Sequence, residues 1–85
     1  MSNLIHITDI IEPTQFASLE QLSAQKHQLI LSQDGIYNYP QLKLLAPLVL
    51  EVDATARNVD ISNNSLVSYA EFVELSLKYD AVIKW

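Results

Sequence analysis

Short runs of aliphatic and branched residues alternate with segments of helical pattern along the chain, and this alternation constrains the fold more than any other feature of the sequence. Leu4-Ile5-His6-Ile7-Thr8 reads as a strand. Glu12-Pro13 follows, with Pro suited to the first helical position and Glu complementing the helix dipole. Between Thr14 and Gln25 the apolar residues Phe16, Leu19 and Leu22 recur every three positions opposite Gln15, Glu20, Gln21 and Gln25, the pattern of an amphipathic helix. His27-Gln28-Leu29-Ile30-Leu31-Ser32 is a second strand, ended by Gln33-Asp34-Gly35, and Pro40 opens a short helix running to Leu45. Pro47 separates that helix from a third strand, Leu48-Val49-Leu50-Glu51-Val52. Asp53 is placed to cap a short helix reaching Arg57, the stretch 58–65 is polar loop, and Leu66-Val67 is a brief fourth strand. Ser68-Tyr69-Ala70-Glu71 has the capping-box pattern that starts a last helix. On it Tyr69, Phe72, Val73 and Ser76 share one face, and Glu74 and Lys78 are spaced to pair on the solvent side.

Strands separated by helices pair in parallel through right-handed crossovers. The sequence therefore predicts an α/β fold, one small domain over residues 1–85 with an open, mostly parallel sheet of four to five strands flanked by helices. Eighty-five residues support one hydrophobic core and not two. With 49% apolar and 18% charged residues the chain has enough hydrophobic material to offset the entropy of ordering it. A single glycine excludes both a dinucleotide-binding G-x-G-x-x-G and a P-loop. The sequence contains no cysteine, so it offers no disulfide, no thiolate metal site and no nucleophilic thiol that could hold a persulfide. Ten acids against five bases give a net charge of -5, which repels phosphate backbones and argues against direct nucleic-acid binding. The N-terminus has no basic region ahead of an apolar run, and no apolar stretch approaches the ~18 to 20 residues that cross a bilayer, so a cytoplasmic chain is expected. A mean hydropathy of +0.13 is high for a small acidic domain, and part of its apolar surface is expected to meet a partner.

Parallel pairing gathers strand carboxyl ends on one edge, which would bring Asp9, Asp34 and Asp53 near one another. Such a trio could chelate Mg²⁺ in the manner of a receiver domain, or each Asp could cap its own turn or helix. His6 and His27 lie at or inside strands without the neighbours of a triad or a metal helix, and are assigned to packing or an edge. Tyr37, Tyr39 and Trp85 are aromatic residues in a loop and near a chain end, and are the candidate partner anchors. Gly35 is expected to hold a positive φ at the exit of the second strand. No catalytic, cofactor-binding or metal-binding residue is assigned.

Leu29-Ile30-Leu31-Ser32-Gln33-Asp34-Gly35-Ile36 resembles the hallmark of the DsrH/TusB family, an aliphatic strand running into Gln-Asp-Gly and a further aliphatic residue. Tyr69, Phe72, Val73 and Leu75 match that family's Tyr-x-(Asp/Glu)-Phe-Val-x-Leu helix, Trp85 matches the Trp on which many members close, and Thr14-Gln15-Phe16 fits its first helix. Ala56-Arg57 falls where the family often has Ala-Arg-Gly, with Asn58 in place of the Gly. The resemblance implies a DsrE-like α/β fold and a place in a sulfur-relay complex with two paralogues, TusC-like and TusD-like subunits, as a heterohexamer. In the TusBCD version a cysteine of the D-type subunit passes persulfide sulfur toward 2-thiolation of the tRNA wobble uridine, and in the Dsr version the complex serves sulfur oxidation. Some DsrH-type chains carry a cysteine, so its absence here favours the TusB role, as a non-catalytic subunit.

Overall fold

The computed structural model describes residues 3–25 and 27–85. Leu4–Ile7 forms strand β1, and after a 3-10 turn at Pro13–Gln15 helix α1 runs over Phe16–Ala24. Strand β2 is Gln28–Leu31, followed by a 3-10 turn over Gln33–Asn38 and the short helix α2 at Tyr39–Leu42. Strand β3 is Leu48–Leu50 and passes directly into helix α3, Glu51–Ala56. Strand β4 is Leu66–Val67, helix α4 is Tyr69–Lys78, and strand β5 is Val82–Lys84. None of the described helices is long and apolar enough to cross a membrane.

The five strands form one sheet in the order β4-β3-β2-β1-β5, with every neighbouring pair parallel. The chain steps from β1 outward to β4, and α4 then carries it back to place β5 on the far side of β1. Ile5 and Ile7 of β1, Leu29 and Leu31 of β2 and Val49 of β3 point to one face, where Leu19 of α1, Ile36, Tyr39 and Leu42 around α2, and Ala54 of α3 complete the main core. Leu4, Ile30, Leu50 and Val67 point to the other face and pack beneath Phe72, Leu75 and Tyr79 of α4. Strand alternation thus divides the aliphatic runs between two apolar layers.

Several expectations need correction. The third strand ends at Leu50, because Glu51 and Val52 already belong to α3. Asp53 therefore sits inside the first turn of α3 beside Glu51, where both carboxylates favour the helix dipole, and Leu50 holds the capping position. The capping box of α4 forms as the sequence predicts, Glu71 N–H donating to Ser68 Oγ at 3.1 Å and Ser68 N–H to Glu71 Oε1 at 3.0 Å. The inward face of α4, however, is Phe72, Leu75 and Tyr79, while Tyr69 and Val73 point outward. Glu74 and Lys78 form no ion pair; among the described residues the ion pairs are those of Arg57 with Asp34 and Asp53. β5 carries no distinct sequence signal and exists through its pairing with β1, Leu4 opposite Val82 and His6 opposite Lys84.

Gly35 does not hold a positive φ; Gln33 does, at 51°. The reason for glycine is instead steric, because a Cβ at position 35 would lie 2.1 Å from the carbonyl oxygen of Ile7 and 2.6 Å from its carbonyl carbon. Asn58, standing where the resemblance expects glycine, adopts φ 54°, a left-handed conformation that Asn tolerates better than most L-residues.

Candidate functional site

The Gln33-Asp34-Gly35 turn leaves β2 at the carboxyl edge of the sheet and is held there from three directions. Beneath it, the absent Cβ of Gly35 lets the turn lie against the Ile7 backbone, and Ser32 N–H donates to the Ile7 carbonyl at 3.1 Å, continuing the β1–β2 pairing. Beside it, α3 supplies a clamp. Asp53 Oδ2 accepts from Gln33 N–H at 2.8 Å, Arg57 Nε donates to Asp34 Oδ1 at 3.2 Å, and Arg57 Nη1 lies 4.0 Å from Asp53 Oδ1. On its far side, buried Asn38 takes Ile11 N–H on Oδ1 at 3.0 Å and donates from Nδ2 to the Asp9 carbonyl at 2.8 Å, tying the turn to the exit of β1. A left-handed L-residue costs on the order of 1 kcal/mol and persists only where its surroundings determine it. Here the Asp53 carboxylate on the Gln33 amide supplies that constraint, so α3 sets the conformation of the turn.

This geometry reassigns the three aspartates. Asp34 and Asp53 are drawn to one guanidinium, and the carbonyl of Asp9 serves Asn38. Among the described residues no group of three His, Cys, Asp or Glu side chains is arranged to hold a metal. The strand order also differs from the 2-1-3-4-5 order of receiver-type folds, so the receiver-like alternative fails on topology. Asn38 and Arg57 are the residues that reasoning from sequence missed. The Asp53–Arg57 spacing of four was the available signal for Arg57, whereas nothing local marks Asn38.

On the α4 side of the sheet, His6 Nε2 and Ser32 Oγ are hydrogen-bonded at 2.5 Å, and the imidazole lies 5.1 Å from the Phe72 ring, centroid to centroid. Burial and then the nearby Lys84 charge lower the His6 pKa from its ordinary 6.5, against a raising influence of Asp53. His6 is therefore held mainly neutral at pH 7, suited to the hydrogen bond with Ser32. His27 Nδ1 accepts from Asn3 N–H at 3.0 Å. Both histidines thus serve packing and local hydrogen bonding.

The three candidate anchors separate. Tyr39 is 8% exposed and belongs to the main core, because the 3-10 turn continues into α2 and rotates its ring inward. Trp85 is half-buried against the same core, its backbone N–H donates to the His6 carbonyl at 2.9 Å, and its buried Nε1–H has no partner among the described residues. Tyr37, 45% exposed on the outer side of the turn, is the one of the three with the exposure of an anchor.

Of the motif residues, Gln33, Asp34 and Gly35 form the clamped turn, while on α4 Phe72 packs inward and Tyr69 lies exposed beside it, their ring centroids 6.4 Å apart. No curated protein matches the chain significantly. The family model described as "DsrH like protein" matches residues 11–82, from the exit of β1 to the first residue of β5 and through both motif segments. With most of its length in that match, the chain belongs to the DsrH-like family, a family of sulfur-relay accessory subunits.

Proposed function

We propose that this chain is the non-catalytic TusB-type subunit of a cytoplasmic TusBCD-like complex, in which TusC-like and TusD-like subunits relay sulfur toward 2-thiolation of the tRNA wobble uridine. The observation that carries this reading is a DsrH-like chain without a cysteine. Sulfane sulfur moves by attack of a thiolate on sulfur, and a chain with no thiol can neither accept nor pass it on. What remains for it is to bind its paralogues and shape the surroundings of their cysteine. The clamped Gln33-Asp34-Gly35 turn, with exposed polar side chains on a backbone held by α3 and β1, is suited to that second task.

Deletion of the gene tests the reading. Wobble-uridine 2-thiolation, measured by mass spectrometry of digested tRNA, is expected to fall and to recover when the wild-type chain is restored. Thiolation equal to wild type in the deletion strain would overturn the TusB role. Loss of growth on reduced sulfur with thiolation intact would assign the chain to a Dsr-type sulfur-oxidation complex instead.

A further inference from the structure

Strand β5 closes the sheet on the β1 side, and among the described residues no strand lies beyond it. Residues 80–84 are all exposed, Val82 and Ile83 at 42% and 39% among them. Helix α4 packs on Leu4, Ile30, Leu50 and Val67, and it leaves Val82, the neighbour of Leu4 across the β1–β5 pair, outside its cover. The edge is therefore open to a further strand.

The backbone of β5 shows which groups such a strand would meet. Leu4 N–H donates to the Ala81 carbonyl and Trp85 N–H donates to the His6 carbonyl, both at 2.9 Å. Alternate residues of a strand turn their amide and carbonyl groups to opposite sides, so Ala81, Ile83 and Trp85 serve β1 while those groups of Val82 and Lys84 point to the open edge.

A short strand bearing Lys is ordinarily a blunted edge, because the charge opposes pairing. Here an acid stands four residues before the Lys, at the spacing a two-fold axis requires. If two copies pair antiparallel about Val82, Val82 meets Val82, Ile83 meets Ala81, and Lys84 of each copy lies opposite Asp80 of the other. Opposite charges across a strand pair stabilise it and like charges destabilise it. A pairing centred on Lys84 would set the two lysines against each other, and one centred on Ile83 would set Lys84 against Val82. Charge thus selects one register. We propose that β5 is the docking edge for β5 of a second copy of this chain, antiparallel and centred on Val82, which joins the two sheets into one. The proposal goes beyond the relay-subunit reading and stands without it.

Sedimentation equilibrium of the purified full chain is the test. The contact is small for a protein interface, so a weak dimer is expected, half formed at about 0.1 to 1 mM. Lys84→Asp places like charges opposite each other twice and is expected to weaken the dimer about tenfold or more, with circular dichroism matching wild type at this exposed position. Asp80→Lys is expected to do the same. Mixed one to one, the two variants regain opposite charges at both contacts, and a mixed dimer is expected at least about tenfold tighter than either variant with itself. In hydrogen exchange of the wild-type chain, protection of the Val82 and Lys84 amides is expected to rise with concentration, because those N–H groups bond across the axis. A monomer at 1 mM would overturn the proposal, as would a Lys84→Asp chain that pairs as well as wild type. Should Asp80→Lys fold poorly, Lys84→Asp and the exchange measurement decide by themselves. Dimerisation without added protection at Val82 and Lys84 would place the contact elsewhere and overturn the edge.

Discussion

The two faces of the sheet are built from the same aliphatic strands and differ in what covers them. On the main-core face Ile5, Ile7, Leu29, Leu31 and Val49 are buried under three helices and the turns between them. On the other, Leu4 and Ile30 are as fully buried, yet the same strands also place His6 and Ser32 on that side, and a single helix lies across them. The first face can be understood as the core of a monomer. The second combines an incomplete layer, a polar pair and an exposed apolar helix surface, features of a face that serves something besides folding. Nor are the faces independent, since Gly35 lies against the carbonyl of Ile7 while Ser32 and Gln33, three and two residues before it, reach His6 on one side and Asp53 on the other.

The sharpest way to break this picture is Gly35→Ala. The added Cβ meets backbone atoms of β1 that cannot rotate away, so the turn and the strand must separate, and a loss of about 3 kcal/mol or more in urea unfolding is expected. A loss below about 1 kcal/mol would mean that the turn is free to move off β1 and that the clamp from α3 does not fix it. Next in size is the contrast between the layers themselves. Leu31→Ala on the main-core face is expected to cost about 3 kcal/mol, against about 1 kcal/mol for Leu75→Ala in half-buried α4, with equal costs removing the asymmetry.

The smallest effect is the pH dependence of the polar pair. His6 binds its proton less readily in the folded chain than in the unfolded one, so the unfolded state holds more protons between the lowered folded-state pKa and 6.5. Stability therefore rises with pH through that window and is lost as pH falls through it, the loss being complete below the folded-state pKa. In denaturant titrations between pH 8 and 5, His6→Gln is expected to flatten this part of the profile. An unchanged profile would place the acid sensitivity in other groups.

Much of the chain was legible from sequence because the relevant physics is local. Branched runs made β1 and β2 readable, Pro13 and Pro40 marked where helical turns open, and the Ser68–Glu71 capping box located the start of α4 to the residue. The α/β class followed from the alternation of these elements, and the DsrH-like family from the Gln33-Asp34-Gly35 and Tyr69-to-Leu75 segments. The need for glycine at position 35 was also visible, though its cause was not: the clash is with Ile7, a residue on another strand, and no feature near Gly35 encodes it.

What only the tertiary structure decided depends on distant partners. Gln33 takes the left-handed conformation because Asp53, twenty residues on, accepts its amide hydrogen. Tyr39 is core because α2 packs its ring on the sheet, and Val82–Lys84 is a strand because β1 offers it a free edge. The same holds for α4, whose helical period sets which residues share an arc and leaves open which arc meets the sheet. The positions of Leu4, Ile30, Leu50 and Val67 make that choice, turning Phe72, Leu75 and Tyr79 inward and leaving Tyr69, Val73 and Leu77 to face outward.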